Sequence, residues 1–365
     1  MSDINTGGAA AELFVSGRVC LFGEHTDWAA DFGLHAGHCV VIGTDQGLRA
    51  TARPCDDLVI QTLVPDADGR PTGRSRQVTC TWDGESLKAA AKDDLEFFRH
   101  CAGTAYQMLD RHGVTGGVEL HIGEMDLPLG KGVSSSAAVC ILVARAFNAV
   151  YRLGLFPHEL MEAAYLGERL TGSQCGRMDQ ACIYGKTPVL LTFQKSADIR
   201  IEPVFPGGDI EMFIVDLAGR KDTVRILEDL NAALPRSRAL QQALGADNER
   251  VVRQAYQAIE RGQAETLGLL MTEAQAIFDE KVAPHCPGEL ASPLLHELLG
   301  FDALASHVFG GKGVGSQGDG TAQFVARSPD DRDAAIGRIA ERFPTMQCFP
   351  LTIPAAPRQA AGVPE

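Results

Sequence analysis

Pro128-Leu-Gly-Lys-Gly-Val-Ser-Ser-Ser-Ala-Ala-Val-Cys140 is the stretch on which the fold turns. Before it, Gly117-Val-Glu-Leu-His-Ile-Gly123 alternates apolar Val118, Leu120 and Ile122 with more polar neighbours, the period of a strand. After it, the residues from Ala137 to Tyr151 have the composition of a buried helix. Between the two, Gly130 and Gly132 let the backbone come close to a ligand. Ser134, Ser135 and Ser136 stand at the expected helix start, where hydroxyls cap and the free N–H groups favour an anion. Strand, Gly/Ser turn and helix N-terminus make a phosphate cradle in outline. It is not a Walker loop: Met125 stands where G-x-x-x-x-G-K-[S/T] needs its first glycine, and Gly132 follows Lys131 in place of Ser or Thr. An ordinary capped helix in an α/β domain carries the same signature, so the turn alone leaves both readings open.

The 365 residues allow one large or two medium domains, and a hydrophobic content of 45% is that of a globular chain with a real core. No apolar run is long enough to span a membrane, and the N-terminus lacks the basic and apolar regions of a signal peptide. A net charge of −14 argues against nucleic acid as a partner. If the ligand carries phosphates, a metal or backbone N–H groups must meet its charge locally. The ten cysteines include no C-x-x-C pair, and Cys175 and Cys182 are wrongly spaced for a zinc knuckle. Reduced, mostly buried thiols in a cytoplasmic protein are expected.

Outward from the cradle, 11–23 is expected as one or two strands broken at Gly17. It runs straight into Glu24-His25-Thr26-Asp27-Trp28, whose carboxylates and neutral imidazole suit a polyol as hydrogen-bond acceptors. A solvated turn with Asp27 as a helix cap fits the same residues. Cys39–Gly43 and Leu48–Ala52 are expected as strands around a Thr-Asp-Gln-Gly turn, followed by strands at Leu58–Val64 and Gln77–Trp82. A helix is predicted from about Asp93 to Arg111, with His100 and His112 at the surface. A second helix, Pro157–Leu170, leads into a polar knot that holds Glu168 and Asp179. Short strands are then expected at Ala181–Tyr184 and Val189–Phe193. From about 200 the pattern restarts, with strands and a run of helices. A second glycine-rich turn, Gly310-Gly-Lys-Gly-Val-Gly-Ser-Gln-Gly-Asp-Gly320, precedes the strand Thr321–Ala326. The expected class is α/β (α+β) in two domains, 1–200 and 201–365.

Four segments together resemble the GHMP kinase family, in its galactokinase-like sugar 1-kinase branch. Gly17-Arg-Val-Cys-Leu-Phe-Gly-Glu-His-Thr-Asp27 is similar to the galactokinase signature, and Pro128–Ala137 to the family's phosphate-binding motif. Cys175-Gly-Arg-Met-Asp-Gln180 resembles the segment that carries the catalytic aspartate, and Gly310–Gly320 stands in the position of the C-terminal glycine motif. The segments are short, but their order and spacing run through nearly the whole chain.

The resemblance implies a two-domain fold with the active site in the interdomain cleft. It implies transfer of the γ-phosphoryl group of ATP to the anomeric C1 hydroxyl of a sugar. By resemblance, the backbone of Gly130, Lys131, Gly132, Val133, Ser134, Ser135, Ser136 and Ala137 wraps the ATP phosphates. Ser136 and Glu168 hold Mg²⁺, an ion that takes few protein carboxylates and otherwise phosphate oxygens and water. Asp179 matches the catalytic aspartate and Arg18 its partner. An adjacent guanidinium weakens a carboxylate as a base, so Asp179 stands either as general base or as an orienting charge. Glu24, His25 and Asp27, with Asp179, match positions that hold sugar hydroxyls. Trp28 replaces the commoner tyrosine, and 29–38 is longer than the matching galactokinase loop. Galactose is therefore one candidate beside arabinose, fucose, a uronic acid, or a heptose or octose derivative. Gln317 and Asp319 interrupt the usual glycine run, and Asp319 is expected to point away from phosphate or to meet a cation. Arg177 is read as reaching an anionic substrate group or as a surface arginine. The rival functions are a kinase of the same fold acting on mevalonate or an amino-acid alcohol, and a non-catalytic sugar- and ATP-binding regulator. The expected state is a cytoplasmic monomer or homodimer with no nucleic-acid or membrane partner.

Overall fold

The computed structural model describes residues 10–30, 34, 36–65, 71–93, 97–127, 135–195 and 198–357. In chain order the first half runs β1 (Ala11–Phe22), a one-turn helix α1 (Thr26–Ala29), β2 (Gly37–Cys55), β3 (Leu58–Pro65), β4 (Pro71–Cys80), α2 (Gly84–Lys92), α3 (Phe98–His112) and β5 (Gly117–Met125). It continues with α4 (Ser135–Tyr151), α5 (Pro157–Leu170), a 3₁₀ turn (Asp179–Tyr184), β6 (Val189–Lys195) and β7 (Asp198–Pro203). The second half runs β8 (Ile210–Asp216), α6 (Thr223–Ala233), α7 (Arg238–Gln242), α8 (Asn248–Glu260), α9 (Ala264–Lys281), α10 (Pro287–Leu290) and α11 (Pro293–Leu299). It closes with β9 (Val308–Gly313), β10 (Thr321–Ala326), α12 (Pro329–Arg342) and β11 (Gln347–Ile353). This is the mixed α/β class expected from the sequence. No helix among the described residues is long and apolar enough to cross a membrane.

The chain divides into two compact units, Met1–Arg18 with Gly43–Gly185, and Val19–Ile42 with Lys186–Glu365. The sequence reading put everything up to 200 in one domain. The physical reason for the difference is apolar: Val19, Leu21, Phe22, Val40 and Ile42 are buried in one core with Ile210, Met212, Ile214, Val252 and Ile259.

In the first unit, β2 from Leu48 on pairs antiparallel with β5. β5 pairs parallel with β3, and β3 antiparallel with β4. Helix α4 is buried through Ala137–Ala144, which is why it reads as apolar on nearly every side. α3 and α5 meet where Gly103 faces Gly167, and a Cβ on Gly103 would lie 2.3 Å from the Gly167 carbonyl oxygen. Two helices, α2 and α3, replace the single one expected from Asp93. The first starts early because Asp83 caps it, accepting from the Ser86 N–H at 2.8 Å. His100, expected at the surface, is buried. Ala181–Tyr184, expected as a strand, is instead part of the 3₁₀ turn, closed by Ala181 N–H to Met178 O and Gly185 N–H to Cys182 O.

In the second unit, Gly37–Val41 of β2 pairs antiparallel with β6, and β6 with β7. β2 is thus one strand where two were expected. A separate antiparallel sheet has the order β11-β8-β10-β9. One of its faces packs Phe213, Val215 and Phe324 against Leu295, Ala335 and Ile339. Four of the eleven residues read as the second glycine turn, Gly310–Gly313, belong to β9, paired with β10. None of the ten cysteines is in a disulfide, and six of them are buried.

Candidate active site

In the first unit, Arg18 lies in β1 and Asp179 opens the 3₁₀ turn, and the Arg18 guanidinium donates to Asp179 Oδ1. The arginine side chain is 4% exposed and the aspartate 26%, so the pair presents Asp179 outward from a buried cation. Beside it, the α4 start and the α5 end converge. Ser136 Oγ donates to Glu168 Oε1 at 2.7 Å, and Gln180 Nε2 donates to Glu168 Oε2 at 3.1 Å. Glu168 is buried, and burial together with the Asp179 charge pushes its carboxyl up to about 7, against the pull of Ser136 and Gln180. Among the described residues no group of three or more His, Cys, Asp or Glu side chains gathers as a metal cage. One hydroxyl and one carboxylate fit Mg²⁺, which keeps waters and substrate phosphate oxygens in its shell. A cation there would supply the counter-charge that buried Glu168 lacks. Ser135, Ser136 and Ala137 open α4. Gly130, Lys131, Gly132, Val133 and Ser134 lie outside the described residues.

In the second unit, Glu24, His25 and Asp27 lead into and through α1. His25 has a left-handed backbone, φ 66°, which is uncommon for a residue with a side chain and clusters at functional positions. It is buried, its edge meets Trp28 and its face stacks on Phe278. Burial pushes the ring down to about 4, and the charges of Lys221 and Lys312 act in the same direction, so the imidazole is neutral. Trp28 Nε1 donates to His25 Nδ1 at 3.2 Å, which puts the ring proton on Nε2. The sequence reading makes this ring an acceptor for hydroxyls. The hydrogen-bond network gives the acceptor nitrogen to Trp28, and the other nitrogen is a donor. Glu24 is buried and ion-paired with Lys312 Nζ, which also donates to the Gly313 carbonyl at 2.8 Å. Breaking one side of such a buried pair costs about 3–5 kcal/mol, because the other charge is left uncompensated. Asp27 is half-buried in the first turn of α1.

Lys312 and Gln180 are the two site residues that sequence reading missed. Gln180 follows Asp179 directly, and Lys312 is the one cation within a glycine run, so both had a signal. Arg177 is turned onto its own unit: it pairs with Glu162, and its guanidinium lies 4.0 Å from the Tyr165 ring centroid. Asp319 accepts from the Leu295 N–H at 3.0 Å, and so caps the start of α11.

Residues 99–186 match the GHMP kinases N terminal domain. The chain is 27% identical to a galactokinase of Roseiflexus sp. (strain RS-1) over 172 residues, 47% of this chain and 39% of that protein's length. It is 25% identical to a galactokinase of Streptomyces coelicolor over 370 aligned residues, 89% of each. The fold is similar to L. major mevalonate kinase in complex with R-mevalonate (TM-score 0.71, 19% identity, 97% of this chain and 99% of that one). It is equally similar to Lactococcus lactis galactokinase complexed with galactose (TM-score 0.70, 19% identity, 96% of this chain and 95% of that one). The matched segment, the curated relatives and these structural neighbours are all kinases. The matched segment is that of the GHMP kinases, and the curated relatives the chain resembles are galactokinases.

Proposed function

We propose that this protein transfers the γ-phosphoryl group of ATP to the anomeric C1 hydroxyl of a sugar. The observation that carries the reading is the Arg18–Asp179 pair standing beside Ser136, Glu168 and Gln180 in one unit. In this reading Asp179 takes the proton of the attacking hydroxyl or orients it, while Arg18 fixes the carboxylate and offsets charge in a loose transition state. The backbone from Gly130 to Ala137 wraps the phosphates. Ser136 and Glu168 would hold Mg²⁺, which would neutralise charge on the transferred group. Glu24, His25 and Asp27 hold the sugar hydroxyls, with Glu24 and Asp27 accepting and the His25 Nε2–H donating.

A second reading, phosphorylation of a non-sugar alcohol such as mevalonate or an amino-acid alcohol, is favoured by one observation. The fold is as similar to a mevalonate kinase in complex with R-mevalonate as to a galactokinase complexed with galactose. ADP release with ATP and Mg²⁺ over a panel of free sugars, sugar phosphates, mevalonate and homoserine separates the two. Turnover on a free sugar is the expected result. Turnover confined to a non-sugar alcohol overturns the first reading and supports the second.

A further inference from the structure

Within the second unit, a pocket is lined by the polar Glu24, Lys312, Gln317, Asp247 and Asn248 and by apolar side chains that include Phe278. Lys312 is a charged side chain that the family resemblance gives no role. It is 1% exposed, a burial that an ammonium tolerates only against a fixed counter-charge. Its place is held from both sides. Nζ meets Glu24, and the next backbone N–H, that of Gly313, donates to Gln275 Oε1 at 2.7 Å. Gln275, itself buried, donates in turn to Asp279 Oδ1 at 2.8 Å. Other charged or titratable groups close by are His25, with Lys221 facing it, and Asp247, which Lys281 neutralises at 2.8 Å. Lys312 is therefore the group in direct contact that balances Glu24.

Resting on the sugar-kinase reading, we propose that Lys312 is the positioning residue for substrate recognition. Its ammonium holds the buried Glu24 carboxylate in place at the wall of this pocket, as an acceptor for the hydroxyls of a polyol substrate. Lys312 does not touch the reacting atoms in this account; it acts through Glu24. Without the ammonium, a carboxylate in this environment holds its proton to a higher pH and loses acceptor capacity.

The test is ADP release against sugar concentration at saturating ATP and Mg²⁺, from about pH 5.5 to about pH 8.5, a range that brackets the shift expected of an unpaired buried carboxylate. The full-length wild type is compared with Lys312→Met, Lys312→Gln and Glu24→Gln. Both Lys312 variants are expected to raise the sugar KM roughly tenfold or more at neutral pH, with the ATP KM changed less than about twofold. In both, the acid limb of kcat/KM for sugar moves upward relative to wild type. In Glu24→Gln the sugar KM rises with no such limb. A structural role alone lowers stability but moves neither the KM split nor the pH profile. Lys312 variants with wild-type sugar KM and pH profile overturn the inference. If Lys312→Met does not fold, Lys312→Gln, which keeps a donor and removes the charge, decides the matter. The wild type separates the two levels of the claim. Turnover of sugar with an indifferent Lys312 overturns only the inference, whereas no sugar turnover at all overturns the reading beneath it as well.

Discussion

Asp179 and Arg18 are 161 positions apart in the chain and in contact in the fold. Asp179→Asn keeps the shape and removes the charge, so it is expected to lower kcat by at least ~10² while ATP affinity stays near wild type. Near-wild-type turnover would remove Asp179 from the catalytic assignment. A second residue-scale prediction concerns His100. Its ordinary value is 6.5, and burial, with Arg99 nearby, holds it at about 4 in the fold. Above pH 6.5 the ring is neutral both folded and unfolded, and costs nothing. Between 6.5 and about 4 the unfolded chain binds a proton that the fold refuses, so stability falls as pH falls through this window and then levels off. The full loss is roughly 3 kcal/mol for this ring. His100→Leu is expected to flatten that part of a urea-unfolding series against pH; an unchanged slope would contradict the assignment. At this scale the sequence shows Glu24-His25-Thr26-Asp27 as a polar cluster because its members are neighbours in the chain. The sequence was unreadable for the opposite reason where the partner is remote. Nothing local to Lys312 points to Glu24, 288 residues away.

Helix contacts set the geometry on which Glu168 depends. It follows Gly167, which lies against Gly103 and Thr104 of α3. Alanine favours a helix over glycine by about 1 kcal/mol, but Gly103→Ala drives a methyl into the Gly167 carbonyl. Net destabilisation of roughly 1–3 kcal/mol is expected. The same shift moves Glu168 relative to Ser136, so the Mg²⁺ requirement should rise with it. Urea midpoints and a Mg²⁺ titration of the variant check both effects, and a stabilised variant with a normal titration would contradict the packing account. Elements with a clean period, such as α4, α5, β5 and β10, were legible in the sequence. The 3₁₀ turn at Asp179–Tyr184 was not, because Cys-Ile-Tyr has strand composition while its backbone is set by turn hydrogen bonds and by Gly185 at φ 57°. β2 was split in two on paper because Thr-Asp-Gln-Gly is turn chemistry. In the fold, pairing with β6 at one end and with β5 at the other carries the strand through.

Over the whole chain, the two-unit division was half legible. The restart of the strand pattern near 200 marked the second unit, but burial of Val19, Leu21, Phe22, Val40 and Ile42 in that unit's core has no local signature beyond apolarity. The proposed activity requires that the native state bind ATP and the unfolded one not. At about 100 times its Kd, ATP with Mg²⁺ should add ~2.7 kcal/mol to unfolding, read as a rise in Tm that depends on nucleotide concentration. Absence of any shift would argue against nucleotide binding by the folded chain. The central claim is that the phosphoryl group goes to a sugar C1 hydroxyl. ³¹P and ¹H NMR of the product formed from the best substrate tests it most directly. Phosphorus coupled to the anomeric proton is the predicted result, and phosphorus on any other carbon, or on a non-sugar alcohol, would contradict the account.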